Sequence, residues 1–346
     1  MRRSKYLIAL LVLMMAILPV AQAQEGVMSR SEMIGTVISA YDNLKAAGTY
    51  SFDGTQTEYQ EIASGLGMRR ASSHRESERT IEGKVQLGVD GAADAVEVSI
   101  VQADETYNNA EVRSLIDFSM ELDLIQADGG LFIKVNSVGG DISDTRLAAM
   151  SEADRDAANA AFPTPWVNVL QTPEQMAGYL AYLDSNHTDS TFFGSLNLES
   201  LLNLGSVPVL TPEMVVTIEQ IASVNEGELV FIMTLDPAQV AATLGFSELF
   251  DARTMAGDVD AMLTEIFAGM TITQEVTILT QDDGTFLPSN IHTMLNINVS
   301  FSPDATNTEN QSNPLALELI MKTESAINYS DIGRSVTITA PEIAAE

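Results

Sequence analysis

The sequence predicts an α+β fold in which helices cover one face of a large, curled antiparallel sheet. Three observations lead there. One amphipathic helix opens the folded region. Two sets of segments then alternate between apolar and polar residues, one before and one after residues 141–227. That intervening block carries helix starts instead. Strict alternation gives each strand one wet and one buried face, as antiparallel sheets require. Helices gathered on one face of such a sheet complete the class.

The first helix can be capped by Ser31. Ile34, Val37, Ile38, Tyr41 and Leu44 recur along it at helical spacing, and Gly48 is placed to end it. Strand patterns follow. Ile81, Val85, Leu87 and Val89 alternate with polar residues or glycine, as do Val96, Val98 and Ile100. Ile116, Phe118, Met120, Leu122 and Leu124 alternate with Asp117, Ser119, Glu121 and Asp123. An Asp128-Gly129-Gly130 turn then leads into Leu131, Ile133 and Val135.

Residues 141–227 read as a mainly helical insertion or cap within a single domain spanning 24–346. Ser151-Glu152-Ala153-Asp154 is a capping-box type start. Thr172-Pro173-Glu174-Gln175 sets a cap residue before a proline at the first helical position. Thr211-Pro212-Glu213 starts a further helical turn or a strand. Leu229, Phe231, Met233 and Leu235 resume the strand pattern, and Asp236-Pro237-Ala238-Gln239 opens another helix. Three long strands close the chain, on Met270 to Ile278, Ile291 to Phe301 and Leu315 to Ile327.

A sheet of this size tends to curl. Under its helices it leaves a concave apolar space suited to a greasy ligand. The candidate lining is Phe118, Met120, Leu122, Ile272, Val276, Ile297 and Leu319. Each of these also reads as ordinary core.

The first 23 residues read as a secretory signal peptide. Arg2, Arg3 and Lys5 precede an apolar run from Tyr6 to Val20, and Ala21-Gln22-Ala23 has the small-x-small cleavage pattern. Gln24 follows, not Cys, so the expectation is a secreted or periplasmic protein, soluble and without a lipid anchor. No later apolar run approaches the roughly 20 residues a spanning helix needs.

Cleavage would remove three of 17 positive charges, leaving 14 against 48 acids and a net charge of −34. Nucleic acid is excluded as a partner class, because phosphate neutralisation needs clustered Lys and Arg. The acidity serves solubility by self-repulsion, or suits a salt- or calcium-rich habitat. The chain has no cysteine, so its core alone must hold it.

Catalytic motifs are absent. The three histidines, His74, His187 and His292, lack metal-type spacing, and no His-Glu-x-x-His, Gly-x-Ser-x-Gly or phosphate loop occurs. No cofactor or metal is expected. Asp251, Asp258 and Asp260 lack the spacing of a calcium loop and read as acids near a helix start. One charge contrast remains. Arg69, Arg70, Arg75, Arg79 and Lys84 place five of the 14 positive charges within sixteen residues, after a Ser64-Gly65-Leu66-Gly67-Met68 segment that reads as a flexible hairpin tip. This is a solvated loop pairing with Glu76, Glu78 and Glu82, or a mobile lip for an acidic headgroup or partner.

Several segments resemble the LolA-type lipoprotein carriers and the related LppX/LprG group of exported lipid-binding lipoproteins. They are Val37 to Leu44, Thr49 to Gln56, Gly130 to Val135, Pro165-Trp166-Val167 and the closing Ile327 to Gly333 and Val336 to Pro341. The resemblance covers about half the chain and implies a curled half-barrel that holds acyl chains. Unlike that group, this chain has Gln24 where the lipidated Cys would stand. The leading expectation is therefore an exported, non-catalytic protein that binds or carries a lipid or other apolar molecule. A packed structural or interaction protein of the envelope or matrix is the first alternative. An exported hydrolase using acidic residues is the second.

Overall fold

The computed structural model describes residues 28–66, 69–88, 93–108, 114–139, 165–168, 205–223, 225–243, 266–301 and 316–343. In chain order these form helix α1 (Arg30–Ala47) and strands β1 (Thr49–Leu66), β2 (Arg69–Leu87), β3 (Ala93–Asn108), β4 (Ser114–Ala127), β5 (Gly130–Gly139) and β6 (Val167–Asn168). A 3-10 turn (Pro212–Met214) then leads into β7 (Val215–Ile221), β8 (Glu228–Leu235), helix α2 (Pro237–Thr243), β9 (Met270–Thr280), β10 (Phe286–Phe301) and β11 (Ala316–Ser330).

All the strands belong to one 11-stranded sheet of order β6-β5-β4-β3-β2-β1-β11-β10-β9-β8-β7. Every pairing is antiparallel. The order is linear, so the sheet is open. The two strand sets join where β1 pairs with β11.

The predicted α+β class is corrected to mostly β. Among the described residues one long helix lies on the sheet, not a helical layer. Within residues 141–227 the described parts form β6, the 3-10 turn and β7. The helix starts at Ser151 and Thr172, and residues 1–23, lie outside the described residues.

Helix α1 begins two residues earlier than its apolar stripe suggests. Ser29, not Ser31, is its cap. Glu32 N–H donates to Ser29 Oγ at 3.3 Å, and Ser29 N–H donates to Glu32 Oε2 at 2.7 Å. This reciprocal box satisfies two orphan donors. The helix ends on Gly48 at φ 76°, a left-handed position that costs glycine nothing. The Ser29 side chain holds the Glu32 carboxyl below its ordinary range, the Ser29 backbone adding to this. The cap is therefore at full strength above the unfolded carboxyl's value and weakens as pH falls through the lower folded value. Ser29→Ala is expected to cost about 1 kcal/mol in urea unfolding at pH 7. A loss that did not shrink in acid would count against the Glu32 half of the box.

The face covered by α1 is the inner face. Residues paired across antiparallel strands point to the same side. One inner row runs Phe231, Val276, Ile291, Ile327, Gly54, Ile81, Ile100, Leu122, Val135. Against this half of the face pack Ile34, Val37, Ala40, Tyr41 and Leu44 of α1, all buried. Residues from β6 at one end and β7 at the other share that single core, so the sheet wraps around the helix. Val167 and Val215 mark the two ends.

A smaller cluster lies on the outer face. Ala95, Ile125, Ala127 and Phe132 are covered there by Trp166 and by Ile338 and Ala340 of the segment after β11. The β4–β5 hairpin beside it turns on Asp128 (φ 53°) and Gly129 (φ 72°), the twist-matched two-residue turn that the Asp-Gly pair predicts. At the far side, Asp236 Oδ1 accepts from the Ala238 and Gln239 N–H groups and caps α2 as its sequence suggests.

Candidate functional site

Above the α1-packed half, the inner face changes character. The next row reads Met233, Gln274, Thr293, Ser325, Gln56, Arg79, Gln102, Met120. It is polar from Gln274 to Gln102. Gln274, Arg79 and Gln102 are all buried. Such groups are tolerated only when hydrogen-bonded. Tyr41 Oη donates to Gln274 Oε1 at 2.9 Å, and Gln274 Nε2 donates to Thr293 Oγ1 at 3.1 Å. Burial pushes the Tyr41 phenol well above its ordinary value, so it stays a neutral donor. Arg79 Nε donates to Gln102 Oε1 at 2.9 Å. Gln102 Nε2 donates to Asp104 Oδ2 at 2.6 Å, and Arg75 closes an ion pair with Asp104 Oδ1 at 3.3 Å.

Burial is also what holds the Arg79 guanidinium below its ordinary value. Glu58 and Asp104 push it back up, and Arg75 adds to the depression. Two cations, Arg75 and Arg79, thus face two carboxylates, Asp104 and Glu58.

The row beyond reads Leu235, Ile272, Leu295, Thr323, Glu58, Ser77, Asp104, Phe118. Its β9–β10 part is apolar and its β1–β3 part polar. Further out on the apolar side lie Met270, Ile297, Met321, Val299 and Leu319. Ile297 and Val299 are buried with Ile266, while Leu295, Met321 and Leu319 are only half-buried. This is an apolar strip that the described residues cover incompletely.

The outer face carries a groove of about 790 Å³. It crosses β10, β11, β1, β2, β3 and β4. Tyr59, Glu76, Glu78, Glu105, Asn296 and Glu324 stand on its walls, and Glu58, Ser77, Asp104 and Thr323 of the inner row also border it. His292 Nε2–H donates to Glu324 Oε1 at 2.8 Å. Among the described residues no group of three His, Asp or Glu side chains could hold a metal ion.

No protein-family model matches the chain, and no curated protein matches it. Solved structures similar to it include the following two. A structure of lipovitellin, determined for its lipid–protein interactions, is 7% identical and covers 85% of this chain, with a TM-score of 0.28. This chain spans 26% of the lipovitellin chain. The translocator domain of the autotransporter NalP from Neisseria meningitidis is 10% identical, covers 86% of this chain and 95% of its own, and has a TM-score of 0.17. Neither score is high enough to carry an argument, so the LolA-type resemblance rests on the quoted residues alone.

The predicted lining residues whose side chains are described fall on the inner face, but not together. Met120, Leu122, Ile272 and Val276 belong to the main core. Ile297 belongs to the upper cluster, with Leu319 paired to its neighbour Val299. Phe118 occupies the row of Ser77 and Asp104, and its side chain lies outside those described. Among the described side chains, none of the predicted lining residues borders the outer groove.

The predicted basic loop is a strand. Arg69, Arg70, Arg75 and Arg79 all lie in β2. The side chains of Arg69 and Arg70 are outside those described. Arg75 and Arg79 alternate away from Glu76, Glu78 and Glu82, which point outward, so the expected pairing with those acids cannot form. The inner partners Asp104, Gln102 and Gln56 were missed. Their signal was the alternation of Gln102 and Asp104 in phase with Val96, Val98 and Ile100. His292 is on the outer face as its strand pattern implies. His187 and Asp251 to Asp260 lie outside the described residues.

Proposed function

We propose that this is an exported, non-catalytic protein that binds or carries a lipid or similar apolar molecule on the upper inner face of its sheet. The observation that carries the reading is the half-buried strip of Leu295, Met321 and Leu319. It flanks the buried Ile297 and Val299 on a wrapped sheet. Met321 and the adjoining half-buried Met270 are flexible thioethers that adapt to varied apolar shapes. Among the described residues no helix is long and apolar enough to cross a membrane. The signal-peptide pattern supports the export part of the proposal.

A second reading, a packed interaction protein, is favoured by the lower half of the inner face. There Val37, Leu44, Leu124 and Phe231 are completely covered. One experiment separates the two. Protein purified without detergent is extracted with organic solvent, and the extract is analysed by mass spectrometry alongside uptake of a fluorescent fatty acid. A co-purifying lipid or saturable uptake is expected. An empty extract without uptake would select the packed alternative.

A further inference from the structure

Resting on the lipid reading, we propose that Ser77 marks a head-group subsite, and that the ligand is amphipathic with an uncharged, hydroxyl-bearing head. Ser77 is 5% exposed, and its hydroxyl has no hydrogen-bond partner among the described residues. A buried unpaired hydroxyl costs stability that alanine at the same position would not. Its neighbours are all engaged: Arg75 with Asp104, Arg79 with Gln102, and Gln102 with Asp104. Within this network the Ser77 hydroxyl is a group left to bond something else.

The surroundings specify what that is. Arg75 and Arg79 are balanced by Asp104 and Glu58, so no charge is left over for an ionic head. A carboxylate or phosphate placed here would be an unmatched buried anion. A hydroxyl both donates and accepts. It can accept from the Ser77 hydroxyl while donating to the half-buried Glu58 carboxylate or Thr323 oxygen, which share its row. Access comes from the outer rows, where Gln60, Arg75, Thr106 and Met321 are half-buried. The apolar strip begins in the same row. From Ser77 on β2 across β1 and β11 to Leu295 on β10 is three strand spacings, about 14 Å. A head at Ser77 therefore places its hydrocarbon chain over Leu295, Ile297 and Met321.

The test titrates 1-monooleoylglycerol and oleate separately into delipidated wild-type protein and Ser77→Ala. The wild type is expected to bind monooleoylglycerol more tightly than oleate. Ser77→Ala should weaken monooleoylglycerol by about five- to tenfold, the worth of one hydrogen bond. It should leave oleate unchanged and the melting temperature equal or higher. Monooleoylglycerol affinity untouched by the substitution, or oleate bound more tightly by the wild type, overturns the subsite and leaves the lipid reading standing. A lowered melting temperature with both affinities unchanged shows Ser77 to be structural and also overturns it. Failure of the wild type to bind either lipid removes the lipid reading itself.

Discussion

Replacing Asp104 by alanine is expected to lower the unfolding free energy by about 3–5 kcal/mol, the range for breaking a buried ion pair by removing one partner. The Asp104 side chain is 1% exposed and that of Arg75 is 17% exposed, so neither group is screened as a surface pair would be. The substitution takes away the Arg75 partner and the acceptor of Gln102 Nε2 together. It also removes a carboxylate that favours the charged form of the buried Arg79. Asp104→Asn keeps an acceptor and removes only the charge, so it should fall between wild type and alanine. Guanidinium unfolding followed by far-ultraviolet circular dichroism measures both. A loss below about 1 kcal/mol for alanine, the size of a surface pair, would show that the network is solvated and not buried.

Phe52→Ala should cost a similar amount, about 3–5 kcal/mol, the usual figure for emptying a buried phenylalanine site. Phe52 is 1% exposed. Its ring is held between two glycines. Gly83 pairs with it on β2, and Gly205 approaches from the segment leading to the 3-10 turn. A Cβ at either glycine would overlap the ring. Removing the ring opens a space that neither glycine can fill, since neither has a side chain to relax into it. Tyr329, beside Phe52 on β11, donates through Oη to the Ser206 carbonyl at 3.4 Å. The same crossing segment therefore loses its main apolar contact while keeping a hydrogen bond. Gly205→Ala tests the packing from the other side and should destabilise by about 1–3 kcal/mol through overpacking. If Gly205→Ala were silent, the segment would not be seated on Phe52.

The strands that were legible in the sequence are those whose inner face is mostly apolar, broken at most by one polar residue such as Gln274 or Thr293. Ile116 to Leu124, Leu131 to Val135, Met270 to Ile278 and Ile291 to Phe301 all alternate and all lie in strands. The reading failed where the inner face is polar. The outer half of β1 presents Gln56, Glu58 and Gln60 inward, and the facing half of β2 presents Arg79, Ser77 and Arg75. Both faces there are hydrophilic, so period-two alternation leaves no trace. A strand with arginines on it then looks like a basic loop. The residues that make the proposed head-group subsite were invisible for the same reason. Burial of a polar side chain is decided by partners on other strands, such as Gln102 and Asp104, and not by its own neighbours in sequence. The helix cap failed on a smaller scale. Ser29 and Ser31 both precede the apolar stripe, but only Ser29 stands three residues before Glu32.

The position of Trp166 decides what an optical experiment on this protein can see. It is the only tryptophan in the chain, and it packs on the outer face among Ile338, Ala340 and Phe132. Its emission therefore reports whether the segment after β11 is seated, not whether the inner face is occupied. Lipid bound over Leu295 and Met321 should leave the spectrum unchanged. Release of the closing segment should shift it to the red while the backbone signal of the sheet persists. Two transitions recorded by two probes would then be one local detachment followed by global unfolding.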